Sequence, residues 1–379
     1  YAAAKVRGQH PVTTDFLLTF DFEFDPFQIA ACHAVEEGKG VLVAAPTGAG
    51  KTVVGEFAAY FALQAGKKCF YTTPIKALSN QKYSEFVAKF GEDRVGLLTG
   101  DTSINGEAEI LVMTTEVLRN MLYAGSNTLT NLGCVVMDEV HYLADRFRGA
   151  VWEEVILHLP SDVRIVSLSA TVSNAEEFGA WLDEVRGTTS IIVSEKRPVP
   201  LNQHVLFGNE LIDLFQGDYE KNLVNQELAA KHAAKLRSPS VQSRRPGKYR
   251  GSFQNEPKIP KLSKPETIEL LKDHDLLPAI FFIFSRAACE AAVKECLRWS
   301  LRLTTQEERR EIRMLVEEKC YNIADEDLAT LGYFEWLSSL ERGVAAHHAG
   351  MLPAFKEVVE ELFLRKLVKV VFATETLAL

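Results

Sequence analysis

Residues 40–52 read Gly-Val-Leu-Val-Ala-Ala-Pro-Thr-Gly-Ala-Gly-Lys-Thr, an apolar run that breaks into a turn of small residues and then into a helical pattern lasting to about Gln64. Phosphates are bound by backbone N–H groups aimed inward, which requires small, flexible residues at the start of a helix whose dipole favours negative charge. Gly48 and Gly50 supply that freedom, with Pro46, Thr47 and Ala49 completing the loop. Lys51 would then reach the β- and γ-phosphates of ATP, and the Thr52 hydroxyl would hold Mg²⁺. Ala45 stands where the general pattern has its first glycine.

Outward from this loop the same grammar repeats. Short apolar runs at 69–73, 109–113, 134–138, 164–169 and 190–193 alternate with helical patterns, which indicates an α/β fold with a parallel sheet buried on both faces. The pattern resumes at 279–284, 343–348 and 368–374, predicting a second α/β lobe. The run at 134–137 ends in Asp138-Glu139-Val140-His141. An acid at the carboxyl end of a parallel strand, expected beside the phosphate-loop strand, can hold Mg²⁺, while Glu139 would orient or deprotonate an attacking water.

The 379 residues exceed one ordinary core and suggest two domains. No apolar run reaches membrane-spanning length, and nothing near Tyr1 reads as a secretory signal. A start without Met suggests a fragment. The six cysteines lack metal-ligand spacing and are expected to be buried free thiols in a reducing compartment. The net charge of −9 argues against nucleic acid, but its distribution does not: residues 231–264 carry ten Lys/Arg and one acid, Glu256. That segment reads as a flexible linker or an accessory nucleic-acid grip. Between Trp299 and Leu340 a helical insertion is expected, with Thr305 and Glu308 as a capping box and Ile312, Leu315, Val316 and Cys320 on one face.

Taken in order, the motifs resemble those of superfamily-2 DExH helicases, which are built from two RecA-like lobes. Phe24-Asp25-Pro26-Phe27-Gln28 resembles the adenine-reading Q motif, in which Gln28 would bond the base edge and Phe24 or Phe27 would pack on its ring. Thr73-Pro74-Ile75-Lys76-Ala77-Leu78, Gly100-Asp101, and Thr114-Thr115-Glu116 with Arg119 resemble the nucleic-acid motifs of the first lobe. Ser169-Ala170-Thr171 resembles the element coupling hydrolysis to lobe movement. In the second lobe, Phe284-Ser285-Arg286, His347-His348-Ala349-Gly350 and Ala373-Thr374-Glu375-Thr376 resemble the corresponding elements. The DEVH tetrad, the Arg197-Pro198-Val199-Pro200 turn and the di-histidine segment resemble the superkiller and exosome-cofactor branch, with the actinobacterial HelY-type helicases the nearest likeness.

The resemblance implies a first lobe over 17–200, an inter-lobe extension with the basic linker over 201–264, and a second lobe over 265–379 carrying the insertion at about 299–340. It implies ATP in the cleft between lobes, served by Lys51, Thr52, Asp138, Glu139, His141, Ser169 and Thr171, with Thr52 and Asp138 on Mg²⁺. Nucleic acid would cross the opposite face on Pro74, Lys76, Gly100, Thr114, Thr115, Arg119, Ser285, Arg286, His348, Gly350, Thr374 and Glu375. The implied activity is 3′ to 5′ movement along single-stranded or tailed RNA, in the cytoplasm, with RNA-decay machinery as partner. Oligomerisation is not implied. A final arginine-bearing motif is expected beyond Thr376 and does not occur before Leu379, so the second lobe is expected to be incomplete. DNA as substrate, a small-molecule P-loop NTPase and a non-catalytic RNA scaffold remain alternatives. The second lobe argues against the NTPase, and the intact Lys51, Asp138 and Glu139 argue against the scaffold.

Overall fold

The computed structural model describes residues 9–145, 148–170, 175–216, 223–237, 262–321, 323, 330–374 and 377. The chain divides into two compact units, Tyr1–Leu201 and Asn202–Leu379.

The first unit begins with helices α1 (Pro11–Leu17) and α2 (Pro26–Glu36), then runs β1 (Gly40–Ala44), α3 (Thr52–Gln64), β2 (Lys68–Thr73), α4 (Lys76–Phe90), β3 (Val95–Leu98), β4 (Ser103–Ile104), β5 (Ile110–Thr114) and α5 (Thr115–Ala124). It continues with β6 (Leu132–Met137), α6 (Gly149–His158), β7 (Arg164–Ser169), α7 (Ala175–Arg186) and β8 (Thr189–Val193). The strands form one sheet in the order β4-β3-β5-β2-β6-β7-β1-β8, parallel except for β4. Val41, Val43, Tyr71 and Val112 face a layer built by Phe16, Phe27, Phe57 and Phe86. Leu42, Phe70, Leu111 and Met137 face the other layer, built by Leu118, Trp152 and Leu182. Both faces of the strands are thus covered by helices, which explains why the runs are continuously apolar rather than alternating.

Two expectations need correction here. The Asp138 strand is not beside the phosphate-loop strand, because β7 lies between β6 and β1. Strand order depends on long-range pairing, to which local hydrophobicity is blind. The short β3 and β4, with only four and two residues, were also absent from the sequence reading.

Gly55 decides how closely α3 approaches this sheet. A Cβ there would lie 2.8 Å from the Tyr71 ring and 3.2 Å from Val136, so only glycine lets the helix rest on β2 and β6.

The second unit opens with a hairpin, β9 (His204–Phe207) and β10 (Glu210–Asp213), and helix α8 (Gln226–Arg237). The hairpin falls within the expected inter-lobe extension, and α8 carries the first part of the basic segment, Lys231–Arg237, as a helix. Residues 238–261 of the basic segment lie outside the described residues. After α9 (Lys264–Asp273) come β11 (Ala279–Phe282), α10 (Arg286–Arg298), α11 (Gln306–Cys320), α12 (Tyr333–Glu341), β12 (Val344–His347), α13 (Pro353–Leu364) and β13 (Val370–Ala373). The strands pair in parallel as β11-β13-β12. The capping box of Thr305 and Glu308 forms as expected. The stripe Ile312, Leu315, Val316 and Cys320 packs with Val358, Val359 and Leu362 of α13, so α11 and α12 help cover one face of the sheet. The other face is covered by Ile268, Ala292 and Cys296 of α9 and α10.

Candidate active site

In a parallel sheet every strand delivers its carboxyl end to the same edge, and there side chains and loop amides converge. Along this edge of the first unit lie, in spatial order, Thr114 at the end of β5, Pro74 after β2, Asp138 after β6, Ser169 at the end of β7 and the 45–52 loop after β1. Thr114 and Pro74, expected to take nucleic acid, thus lie on the same sheet edge as Asp138, Ser169 and the 45–52 loop, expected to take ATP.

The loop has the conformation its composition requires. Gly48 and Gly50 have φ of +81° and +78°, values that a side chain would strain. Lys51 is buried and folded back, its Nζ donating to Ala45 O at 2.9 Å and Pro46 O at 3.1 Å. Burial lowers its pKa, while Glu139 and Asp138 act in the opposite sense.

Gln28 is tied to the same loop. Its Oε1 accepts from Asp25 N at 2.8 Å, closing a capping box on α2, and its Nε2 donates to Gly50 O at 2.9 Å. The carboxamide thus clamps the loop instead of projecting freely toward a base. Phe27 belongs to the core, whereas Phe24 packs on Phe20 and Phe22 at centroid distances of 5.1 and 4.8 Å.

Both oxygens of the buried Asp138 are engaged. Oδ2 accepts from Tyr71 Oη at 2.6 Å and Oδ1 from Glu139 N at 2.9 Å. Burial, then the Asp138 charge, raises the Tyr71 pKa far above its ordinary range, which keeps the phenol a donor. Glu139 has φ +52°, a left-handed conformation that costs a non-glycine residue about 1–3 kcal/mol and is typical of functional sites. Its carboxyl is pushed up by burial and then by Asp138, against Lys51 and Lys82. His141 Nδ1 lies 3.2 Å from Glu139 Oε2 in ionic proximity without hydrogen-bond geometry, and burial followed by the Lys51 charge lowers its pKa.

These residues fit a magnesium nucleotide. Thr52 and Asp138 are hard oxygen donors, the glycine loop leaves its backbone bare, and Ser169 Oγ on the strand between them is buried without a partner among the described residues. Thr171 and Glu375 lie outside the described residues.

Among the residues expected to take nucleic acid, Lys76 is exposed and donates to both carboxylate oxygens of Asp101, at 2.7 and 2.6 Å, joining two motifs far apart in sequence. Gly100 is exposed beside it, while Pro74 is buried. Thr115 is fully buried and its hydroxyl donates to Thr73 O at 3.3 Å, so its side chain ties the start of α5 to the end of β2. Thr114 caps α5, and Arg119 bonds Asn120 at 3.2 Å.

In the second unit the carboxyl edge again gathers the motifs. Ser285 caps α10, beginning at Arg286, and a Cβ at Gly350 would meet both His348 and Arg286 within 3.4 Å. His348 Nε2 pairs with Glu290 at 2.9 Å and His347 Nε2 with Glu360 at 2.7 Å, while His347 Nδ1 is buried without a partner among the described residues. Thr374 N donates to His347 O at 3.1 Å.

Tyr71 and Lys82 were missed from sequence. Tyr71 sits in a strand whose alternation could have marked it as facing α3, but nothing local shows that β6 runs alongside. Lys82 Nζ donates to Thr52 Oγ1 at 3.1 Å, a contact made across two helices.

The DEAD/DEAH box helicase family matches residues 25–178. "Probable helicase HelY" of Mycobacterium leprae is 59% identical over 374 residues, covering 96% of this chain and 40% of that protein. "DExH-box ATP-dependent RNA helicase DExH15 chloroplastic" of Arabidopsis thaliana is 40% identical over 407 residues, covering 98% and 34%. "Superkiller complex protein 2" of Homo sapiens is 40% identical over 375 residues, covering 94% and 29%. The chain thus spans well under half the length of these curated relatives. With a glycine loop and an acid pair whose glutamate is held in a left-handed conformation on one sheet edge inside the matched segment, residues 25–178 form a DEAD/DEAH box helicase domain.

Proposed function

We propose that the chain is the motor portion of an ATP-dependent helicase that moves 3′ to 5′ along single-stranded or tailed RNA. The observation that carries this reading is the shared carboxyl edge of the first sheet, on which the 45–52 loop, Ser169, Asp138-Glu139, Lys76 and Thr114 follow one another strand by strand. A change at the phosphate loop after β1 has β7 and β6 to cross before it reaches Pro74 and Lys76 after β2.

Backbone amides of the loop would cradle the phosphates, and Lys51 would exchange Ala45 O and Pro46 O for phosphate oxygens. Thr52 and Asp138 would hold Mg²⁺, which supplies neutralisation of charge on the transferred phosphoryl group. Glu139 would take or orient the proton of the attacking water, a role suited by its raised pKa. Lys76, Gly100, Thr114 and Arg119 in one unit, and Ser285, Arg286, His348, Gly350 and Thr374 in the other, would grip the nucleic-acid backbone rather than bases, as a motor indifferent to sequence needs.

RNA is favoured over DNA because the Arabidopsis relative is named an RNA helicase. The human relative is named as part of a superkiller complex, which favours a multiprotein complex as partner, and RNA-decay machinery is the partner that the family resemblance implies. No described helix is long and apolar enough to cross a membrane. The test is ATP turnover by the full-length protein with no nucleic acid, single-stranded RNA or single-stranded DNA, followed by unwinding of duplexes with 3′ or 5′ tails. Stimulation by RNA and unwinding from 3′ tails are expected. Equal stimulation by DNA removes the RNA assignment, and unwinding from 5′ tails removes the polarity.

A further inference from the structure

Lys82 is a buried lysine on α4 whose position is unusual for its chemistry. Lysine ammonium groups are strongly hydrated and seldom buried without a compelling partner. Its Nζ donates to Thr52 Oγ1 at 3.1 Å and to Glu85 Oε2 at 2.8 Å. Thr52 is the residue whose hydroxyl would hold the metal. The ammonium is also near enough for its charge to oppose the upward shift that burial and Asp138 impose on Glu139. The phosphate site therefore contains two lysines: Lys51 on the loop carbonyls and Lys82 on the metal-binding hydroxyl.

A divalent cation and an ammonium held on one hydroxyl oxygen repel each other at contact distance in a partly desolvated site, so each disfavours the other there. Metal entry therefore works against the contact of Lys82 with Thr52, and Glu85 on the next turn of the same helix gives the ammonium somewhere to remain. The attraction between Lys82 and Thr52 is correspondingly recovered whenever the metal leaves.

We propose that Lys82 is a positioning residue that competes with Mg²⁺ for Thr52 Oγ1 and thereby promotes release of the metal-bound diphosphate product after hydrolysis. The inference rests on the reading that this site takes ATP with Mg²⁺. Lys82 acts through Thr52, not on the reacting atoms. Its competition would weigh most heavily on the diphosphate complex, in which Thr52 and Asp138 would hold the cation without a γ-phosphate to assist them.

The experiment measures ADP binding to the full-length protein by titration calorimetry, once with Mg²⁺ and once with EDTA. Lys82→Met should tighten Mg·ADP binding roughly tenfold without tightening metal-free ADP. Lys82→Arg, which keeps the charge, should remain close to wild type. Glu85→Gln should act in the opposite direction, because it removes the alternative partner and leaves Lys82 to Thr52, weakening Mg·ADP. A purely structural lysine would, when replaced, weaken binding in both conditions. Unchanged or weaker Mg·ADP binding in Lys82→Met overturns the proposal, as does tighter Mg·ADP binding in Glu85→Gln should Lys82→Met not fold. Wild-type protein whose ADP affinity ignores Mg²⁺ would instead overturn the reading of the site itself.

Discussion

The Tyr71 hydroxyl on β2 donates a 2.6 Å hydrogen bond to Asp138 Oδ2 at the end of β6, deep inside the first unit. With Glu139 N on the other oxygen, the carboxylate is fixed in orientation before any ligand arrives. Gly55 contributes by leaving room for the Tyr71 ring beneath α3. Preorganised acceptors of this kind avoid reorganisation at the moment of reaction.

Replacing Tyr71 with Phe should leave a buried carboxylate oxygen without its donor, at a cost of about 1–3 kcal/mol. Denaturant unfolding of the variant would show this directly. A loss below ~0.5 kcal/mol would mean that the hydrogen bond is dispensable to Asp138.

Glu139→Gln should retain Mg·ATP binding, because Asp138, Thr52 and the glycine loop are intact, yet lose about 10²- to 10⁴-fold in turnover. Paired measurements of ATP affinity and single-turnover hydrolysis in the full-length protein check both halves. Near-normal hydrolysis would remove Glu139 from the proton-handling role.

Glu139 also makes a pH prediction. Burial and Asp138 raise its folded pKa above the ordinary glutamate range. Between the unfolded and the raised folded values the native state holds more protons than the unfolded state, so this residue's contribution to stability falls as pH rises through that window. The native state then carries an ionised, poorly solvated carboxylate above it. Glu139→Gln should flatten this part of the stability profile, as measured by chemical denaturation at successive pH values. Turnover should show the reverse dependence, falling as pH drops through the raised pKa and the base becomes protonated.

Gly50→Ala should be more damaging than its size suggests. The residue would be held at φ +78°, and its Cβ would lie 2.7 Å from Gln28 Nε2. The left-handed backbone costs roughly 1–2 kcal/mol, and the Gln28 clamp must open as well. Nucleotide affinity should fall at least about tenfold, by analogy with that energy, and thermal unfolding should begin earlier. Retained affinity would show that the loop relaxes without cost.

Local chemistry was legible in the sequence and spatial adjacency was not. The glycine loop, the acidic strand end and the Thr305 capping box are each specified within a few residues, and the structure forms all three. The placement of β7 between β6 and β1 depends on pairing across the whole unit, and with it goes the position of Ser169. Tyr71 and Lys82 gain their meaning from neighbours 67 and 30 residues away in the chain, so no window reveals them. The β9–β10 hairpin was a readable omission: Gly208-Asn209 separates two four-residue runs, and Gly208 takes the left-handed turn conformation that such a dipeptide signals. Gln28 was recognised by its motif, but its bond to Gly50 depends on how α2 packs beside the loop.

The distribution of the buried cysteines offers a separate consequence. Cys32, Cys69 and Cys134 lie in the first unit and Cys289, Cys296 and Cys320 in the second, all free and buried. Burial pushes the Cys32 and Cys296 thiols up to about 12, so neither presents a reactive thiolate in the folded state. A thiol-alkylating reagent can therefore label these positions only when the surrounding structure opens, and mass analysis of the labelled peptides would time the opening of each unit independently. Three internal clocks on either side of residue 201 make it possible to ask whether nucleotide slows the opening of the first unit alone or of both, without introducing any probe into the protein.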